Sequence, residues 1–215
     1  ARTAAVVAAL AVGPVSAASV SPYPDAVGRI EFDGGSCTGV LIAPRQVLTA
    51  AHCMHAKDGR RAPGAVRFAA GRVYGQAAAV GQVVEIAVPP AYNYNPEPES
   101  VDAVVADVAL LRLENDLQVE PLPLARGAVT EAFDVIGYPA PMSEQPTKQH
   151  ACTVADRNMP DGVLATTCSG IPGASGAPLV DAGEPPTVLG MVVANRKRTG
   201  IALSAAHIRR LLGMR

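Results

Sequence analysis

Three short segments of this 215-residue sequence carry residue types that together could activate a hydroxyl group. Thr49–Cys53 (TAAHC) contains His52, Asp107–Leu113 (DVALLRL) begins with a carboxylate, and Gly173–Pro178 (GASGAP) contains Ser175. A serine hydroxyl is a weak nucleophile at neutral pH and needs a base, and histidine is the side chain whose ordinary pKa suits that task. A carboxylate can fix the tautomer of the imidazole and stabilise the imidazolium. The three segments predict nucleophilic chemistry at Ser175 if the fold brings them together.

Each segment taken alone has a plainer structural interpretation. His52 could be a core histidine beside a disulfide, Asp107 could simply begin a strand, and Gly173–Pro178 could be an ordinary turn. However, the apolar residues around His52 and after Asp107 predict that both polar groups are buried. Buried polar groups need partners, and His, Asp and Ser can satisfy one another. Glycine beside the serine would also let backbone N–H groups turn toward a developing oxyanion.

Composition limits the fold and excludes several classes of function. Hydrophobic residues make up 49% of the chain, charged residues 17%, and the formal net charge is -1. These values argue against disorder and against the strongly basic face that binds nucleic acid. The chain has no Trp and only 4% aromatic residues, so Val, Ala, Leu and Ile must build the core. Frequent Gly and Pro favour short strands over long helices.

Short apolar runs separated by turns predict an all-β sandwich or barrel. Strands are predicted at residues 27–32, 37–42, 46–49, 65–70, 82–88, 108–113, 133–137, 151–155, 163–167, 177–180, 187–194 and 200–204. Only residues 205–212 have convincing helical character. The Pro-rich stretch 115–126 is expected to cross between two lobes, and the polar stretch 89–100 is expected to be a surface loop.

The N-terminal segment predicts the compartment. Arg2 supplies a positive charge, and Ala4–Val12 is an unbroken apolar run of about half the roughly 20 residues that a membrane span needs. Val15-Ser16-Ala17 offers the small residues that a signal peptidase reads. We expect residues 1–17 to be a signal peptide and the rest of the chain to be secreted, with no membrane partner. A buried N-terminal helix is the alternative.

The four cysteines form two pairs of equal spacing. Cys37 and Cys53, like Cys152 and Cys168, are sixteen positions apart. Four cysteines allow three connectivities, of which local pairing is the simplest. Cysteine ligands of a zinc site typically have CxxC-type spacing, which this sequence does not contain. We therefore expect disulfides and no metal.

The chemical segments resemble those of the trypsin/chymotrypsin-like serine peptidases. Thr49–Cys53 is similar to the histidine motif of that family, and Ser36–Ile42 (SCTGVLI) to its partner strand, where the family normally pairs the two cysteines. Asp107–Leu113 is similar to the aspartate strand and Gly173–Pro178 to the nucleophile loop, in the family's order along the chain. The resemblance spans roughly residues 27–212. Taken as a whole, the sequence most resembles the secreted bacterial branch of the family, which includes the glutamyl endopeptidases.

The resemblance implies a fold and a domain organisation. The expected architecture is two six-stranded antiparallel β-barrels of the chymotrypsin type with a short C-terminal helix. Residues 18–120 would form the N-terminal barrel, with His52 and Asp107. Residues 121–215 would form the C-terminal barrel, with Ser175 and the helix.

The resemblance also implies a role for each site residue. Ser175 would be the nucleophile, His52 the general base and then the general acid, and Asp107 the group that orients His52. The backbone N–H groups of Gly173 and Ser175 would form the oxyanion hole. The implied activity is hydrolysis of protein or peptide substrates through an acyl-enzyme, by a monomer that needs no cofactor and binds no nucleic acid. Asp102 is the nearest rival carboxylate, but no apolar strand follows it.

Two departures from the family pattern concern activation and specificity. Ala174 stands where many members have an aspartate that pairs with a new α-amino terminus after cleavage, so other contacts must hold this loop. The resemblance implies substrate binding by Ser169, Val193 and Asn195. Ser169 lies roughly where trypsin-type enzymes carry a pocket aspartate, and no histidine lies near Val192 as a glutamate-specific pocket would need. We therefore expect small or medium apolar side chains, or another polar preference, in the primary pocket.

Three other interpretations remain open on the sequence alone. A catalytically silent homologue could bind a partner through the same fold. An α/β-hydrolase would use G-x-S-x-G and the order Ser, Asp, His, whereas this chain has Ala177 and the reverse order. A purely structural β-protein would require that the three segments do not meet in space.

Overall fold

A computed structural model describes residues 21–56, 59–95, 104–129, 132–140, 142–156, 158–170, 172–196 and 199–214. The predicted signal peptide at residues 1–17 and the rival carboxylate Asp102 lie outside the described residues. The strands, in chain order, are β1 (Val27–Phe32), β2 (Gly35–Ala43), β3 (Gln46–Thr49), β4 (His55–Ala56), β5 (Gly59–Arg60), β6 (Arg67–Ala70), β7 (Ala79–Ala87), β8 (Ala109–Leu113), β9 (Phe133–Gly137), β10 (Thr147–Cys152), β11 (Val154–Asp156), β12 (Val163–Thr166), β13 (Pro178–Val180), β14 (Val188–Arg196) and β15 (Thr199–Ser204). Helix α1 covers Ala205–Leu211.

The first six long strands close into an antiparallel barrel. Its order is β1-β2-β3-β8-β7-β6, and β6 pairs back onto β1. The interior is packed with aliphatic side chains together with Phe68, as the lack of Trp required. β4 and β5 form a separate two-stranded ribbon.

The second half of the chain forms one curved antiparallel sheet. Its order is β10-β9-β13-β14-β15-β12-β11. Among the described residues this sheet has seven strands and two edges, β10 and β11, whereas the sequence predicted a second six-stranded barrel. Thr153 alone separates the two edge strands along the chain. The all-β, chymotrypsin-like fold class is confirmed.

The Pro-rich stretch contacts both sheets. Leu122 donates its backbone N–H to the carbonyl of Leu41 in β2, and Ala125 donates to the carbonyl of Val188 in β14. Tyr138, at the end of β9, is fully buried between the sheets, and burial raises the pKa of its hydroxyl. The two sheets therefore share a packed interface.

The helix α1 lies at the end of the chain, where residues 205–212 were predicted to be helical. The side chain of Ser204 accepts a hydrogen bond from the backbone N–H of His207, as serine does at a helix N-cap. Among the described residues, no helix is long and apolar enough to cross a membrane.

Candidate active site

His52 and Asp107 meet because β3 and β8 are antiparallel neighbours. Thr49, the last residue of β3, pairs with Ala109, the first residue of β8. The chain continues from Thr49 into a 3₁₀ turn (Ala51–Met54) that carries His52, and Asp107 lies two residues before β8 begins. Because the end of one strand and the start of its neighbour lie at the same rim, both side chains point from one end of the barrel.

The imidazole of His52 lies in a hydrogen-bonded line between Asp107 and Ser175. Its Nδ1 is 2.7 Å from Oδ2 of Asp107, and its Nε2 is 2.9 Å from Oγ of Ser175. The backbone N–H of His52 donates to Oδ1 of Asp107 at 2.9 Å. A carboxylate can only accept, so the Nδ1 proton is donated to Asp107, and Nε2 accepts from the serine hydroxyl.

Burial differs sharply along this line. The side chain of Asp107 is 4% exposed, whereas that of His52 is 33% exposed. The carboxylate is therefore shielded, and the imidazole and the hydroxyl of Ser175 face the solvent side. This arrangement suits a base that exchanges protons with a bound molecule while its orienting group stays dry.

Ser175 lies in a tight turn that requires glycine on both sides. Gly173 and Gly176 have φ values of +87° and +86°, a region that side chains disfavour. A Cβ at Gly173 would lie 2.6 Å from the carbonyl oxygen of Tyr138, and one at Gly176 would overlap the carbonyl oxygen of Thr38. The turn therefore packs directly against backbone from both sheets.

The turn leaves two backbone donors available. Within the described part of the chain, the N–H groups of Gly173 and Ser175 have no hydrogen-bond acceptor, whereas Gly176 N–H donates to Val192 and Ala177 N–H donates to Ala174. Donors next to the Ser175 hydroxyl are what an oxyanion would need.

A cleft of about 350 Å³ opens at the serine. Its walls come from the turn, from the end of β14 and from the loop after β7. The lining residues are His52, Tyr92, Asn93, Tyr94, Asn95, Val104, Asp107, Gly170, Pro172, Ser175, Val192, Val193, Ala194 and Asn195. Two of the predicted substrate-binding residues, Val193 and Asn195, therefore line it. The third, Ser169, is half-buried and does not line the cleft, whereas its neighbour Gly170 does. The backbone carbonyl of Ser169 accepts a hydrogen bond from Nε2 of Gln149 at 3.0 Å.

An aromatic cluster beside His52 was not anticipated from the sequence. The ring of Tyr94 stacks on His55, with 4.4 Å between centroids and an interplanar angle of 6°, and Tyr92 lies 5.5 Å from His55 on a tilted plane. Burial raises the pKa of the Tyr92 hydroxyl, and the nearby charge of Asp107 raises it further. The polar stretch 89–100 predicted only a surface loop. The tyrosines at 92 and 94 were the one feature of that stretch that could have indicated an aromatic cluster.

Both disulfides pair locally, as the cysteine spacing favoured. Cys37 joins Cys53 and Cys152 joins Cys168. The first bond ties β2 to the turn that carries His52. Cys37, His52 and Cys53 have potential metal-ligand atoms within 4.8 Å of one another, but disulfide sulfurs are not the thiolates that bind zinc.

His150 lies on the surface rather than in the cleft. Its side chain is 68% exposed, and its Nδ1 is 3.4 Å from the carboxylate of Asp134. Burial of Asp134 alone would raise its pKa, but the hydrogen bond from Lys148, the Ala151 N–H and the neighbouring cations together lower it. This cluster belongs to β9 and β10, and none of its residues lines the cleft.

The fold and the side-chain line together define a class. A chymotrypsin-like all-β fold in which a serine, a histidine and a buried aspartate are hydrogen-bonded in sequence is the architecture of serine peptidases. A family model described as the trypsin-like peptidase domain matches residues 37–191. The chain therefore belongs to the trypsin-like serine peptidase family.

Solved structures with the same fold are distant in sequence. A Glu endopeptidase has a TM-score of 0.68 at 19% identity, with 93% of each chain covered. Neuropsin from mouse brain, a serine protease, has a TM-score of 0.67 at 20% identity, covering 88% of this chain and 93% of its own. A human heparin binding protein has a TM-score of 0.68 at 20% identity, covering 88% and 90%. No curated protein matches this chain.

Proposed function

We propose that this chain is a secreted serine endopeptidase in which Ser175, His52 and Asp107 form the catalytic triad. The observation that carries the proposal is the line of contacts at 2.7 Å and 2.9 Å between residues that lie 55 and 123 positions apart. Three unrelated segments meet in this way at the cleft because the fold positions them.

The proposed reaction proceeds in two balanced halves. Ser175 Oγ attacks the substrate carbonyl carbon as His52 Nε2 takes its proton, and the N–H groups of Gly173 and Ser175 stabilise the oxyanion. His52 then gives the proton to the leaving amine, which departs and leaves an acyl-enzyme. Water attacks the ester carbon, gives a proton to His52, and Ser175 regains it as the acid product leaves. Asp107 stabilises the imidazolium in both halves.

The proposed primary pocket is uncharged. Its described walls are Gly170, Pro172 and the end of β14 from Val192 to Asn195, none of which would neutralise Arg, Lys or Glu. We propose that small or medium apolar side chains bind there, with Val193 and Asn195 as contacts. Ser169 remains a prediction. Two disulfides and the apolar N-terminal run support an oxidising, extracellular compartment.

The test is covalent labelling of the purified chain with a fluorophosphonate probe. Stoichiometric labelling that Ser175→Ala abolishes, together with cleavage of a peptide amide, is the expected result. A chain that folds but neither reacts nor cleaves would instead be the catalytically silent homologue. That second candidate is kept because one fold neighbour is a heparin binding protein.

A further inference from the structure

The turn that carries Ser175 has no charged residue with which to anchor itself. Its residues from 173 to 176 are Gly, Ala, Ser and Gly. Ala174 is 4% exposed and packs in the apolar cluster of the second sheet. An ion pair therefore cannot fix the turn, although both of its glycines have a backbone conformation that the turn must maintain.

Thr38 of β2 contacts this turn at two separate carbonyl groups. Its hydroxyl Oγ1 donates to the carbonyl oxygen of Gly173 at 3.0 Å, and its backbone N–H donates to the carbonyl oxygen of Ser175 at 2.9 Å. The two carbonyls flank Ala174. One residue of the first barrel thus fixes the peptide groups on both sides of the turn.

Thr38 is itself fixed by two further hydrogen bonds. Its Oγ1 accepts from the backbone N–H of Tyr138 at 2.9 Å, and its carbonyl oxygen accepts from Oγ1 of Thr49 at 2.7 Å. Thr49 begins the segment that leads to His52. Thr38 and Thr49 are both fully buried, so water does not compete for these bonds.

The orientation of the hydroxyl follows from its partners. The Tyr138 N–H must be the donor to Oγ1, so the single proton of the threonine hydroxyl is free to reach Gly173. Valine would place a methyl group between an N–H and a carbonyl that both need partners. Serine would keep the bonding pattern.

The geometry points to Thr38 as a positioning residue that holds the oxyanion turn in its working conformation, in place of an ion pair to a charged terminus. This inference rests on the proposed function, because the turn matters for catalysis only if Ser175 is the nucleophile. With both carbonyls bound to Thr38, the N–H groups of Gly173 and Ser175 stay unoccupied for the substrate. The working conformation is then built from neutral bonds within the fold, without an α-amino group.

The experiment compares Thr38→Val, Thr38→Ala and Thr38→Ser with the unaltered chain. Thr167→Val, which alters an exposed threonine whose Oγ1 accepts from the Thr153 N–H, is the matched control. The measurements are kcat and KM on a peptide amide, the rate of fluorophosphonate labelling, thermal unfolding, and hydrogen exchange of the Gly176 and Ala177 amides by NMR.

We expect Thr38→Val and Thr38→Ala to lose about 100-fold in kcat, as small displacements of catalytic groups do. KM should change little, because the contribution is made in the transition state. Labelling should slow and the two amides should exchange faster, whereas Thr38→Ser and Thr167→Val stay close to the unaltered chain. If the valine variant does not fold, the alanine variant, which inserts no methyl group, decides.

Unchanged kcat and unchanged exchange in Thr38→Val would overturn the inference and leave the proposed function intact. So would a serine variant as impaired as the valine variant, since that would assign the effect to the methyl group. If the unaltered chain neither labels nor cleaves, the proposed function fails, and the exchange of the Gly176 and Ala177 amides still decides whether Thr38 holds the turn.

Discussion

The imidazole Nε2 of His207 lies 2.7 Å from the carbonyl oxygen of Val105, two residues before Asp107. A carbonyl only accepts, so Nε2 carries the proton, and Nδ1 accepts from Nη2 of Arg210 at 2.8 Å. His207 is 8% exposed, and a Cβ at Gly162 would overlap its ring. The C-terminal helix therefore fixes the segment that carries the candidate triad carboxylate.

Replacing His207 by Phe should lower both stability and turnover. The partly buried Val105 carbonyl would lose its donor, which costs about 1 kcal/mol in the free energy of unfolding. The loss of that anchor should also reduce kcat, because Asp107 would orient His52 less well. Chemical unfolding and steady-state kinetics measure the two effects.

His150→Phe is the matched control for that variant. It removes an exposed imidazole whose partner is the partly exposed carboxylate of Asp134, and we expect stability and kcat to change little. Equal kcat in the two histidine variants would show that Asp107 is fixed without the helix.

Replacing Asp107 by Asn should leave the fold intact and reduce kcat by about 10⁴-fold. The amide would present a donor to Nδ1 of His52, so the neutral ring would have to carry its proton on Nε2, where it cannot accept from Ser175. Circular dichroism and peptide hydrolysis measure the two properties, and Asp134→Asn, at a partly exposed carboxylate that does not line the cleft, is the control. Near-normal hydrolysis by the Asp107 variant would mean that the carboxylate is misassigned.

The sequence located the strands whose apolar alternation is clear. The predicted bounds of β1, β3 and β9 coincide with the observed ones. The beginning of β10 was missed because Thr147–Cys152 (TKQHAC) is largely polar and only its last residue is buried. Apolar residues alternate along a strand only where one face is buried, so the sequence pattern does not indicate a strand that is partly exposed on both faces.

In the site, residues within recognisable local segments could be predicted, whereas residues whose roles depend on distant contacts could not. His52, Asp107 and Ser175 were predicted to meet because each lies in a recognisable local segment, and the structure brings their side chains into contact. Thr38 was not singled out, because the bond that gives it a role reaches Gly173, which is 135 positions away. The contact of His207 with Val105 spans 102 positions, so no local pattern indicates it either. Contacts of that range are set by the topology and not by neighbouring residues.

Removing the Cys37–Cys53 disulfide should affect catalysis more than removing Cys152–Cys168. Both close loops with a sequence separation of 16, so the chain-entropy contribution, about 3 kcal/mol for a loop of this length, is matched. Only the first bond adjoins the turn of His52. We expect paired Cys→Ala variants to lose similar unfolding free energy, with the larger fall in kcat for Cys37/Cys53. Equal kcat in the two variants would mean that the first disulfide does not support the imidazole.

The cleft predicts which peptide bonds are cleaved and how Gly170 contributes. A Cβ at Gly170 would lie 2.8 Å from the carbonyl oxygen of Ala194 and 3.1 Å from Cβ of Asn195, so the two walls already touch there. Profiling of a diverse peptide library by mass spectrometry should show cleavage after small or medium apolar side chains. Gly170→Val should push the walls apart or block the slot, which raises KM and alters this preference, while fluorophosphonate labelling of Ser175 persists because the probe needs little of the pocket. Cleavage mainly after Arg, Lys or Glu would contradict the uncharged pocket, and an unaltered profile in Gly170→Val would place the primary pocket elsewhere along the cleft.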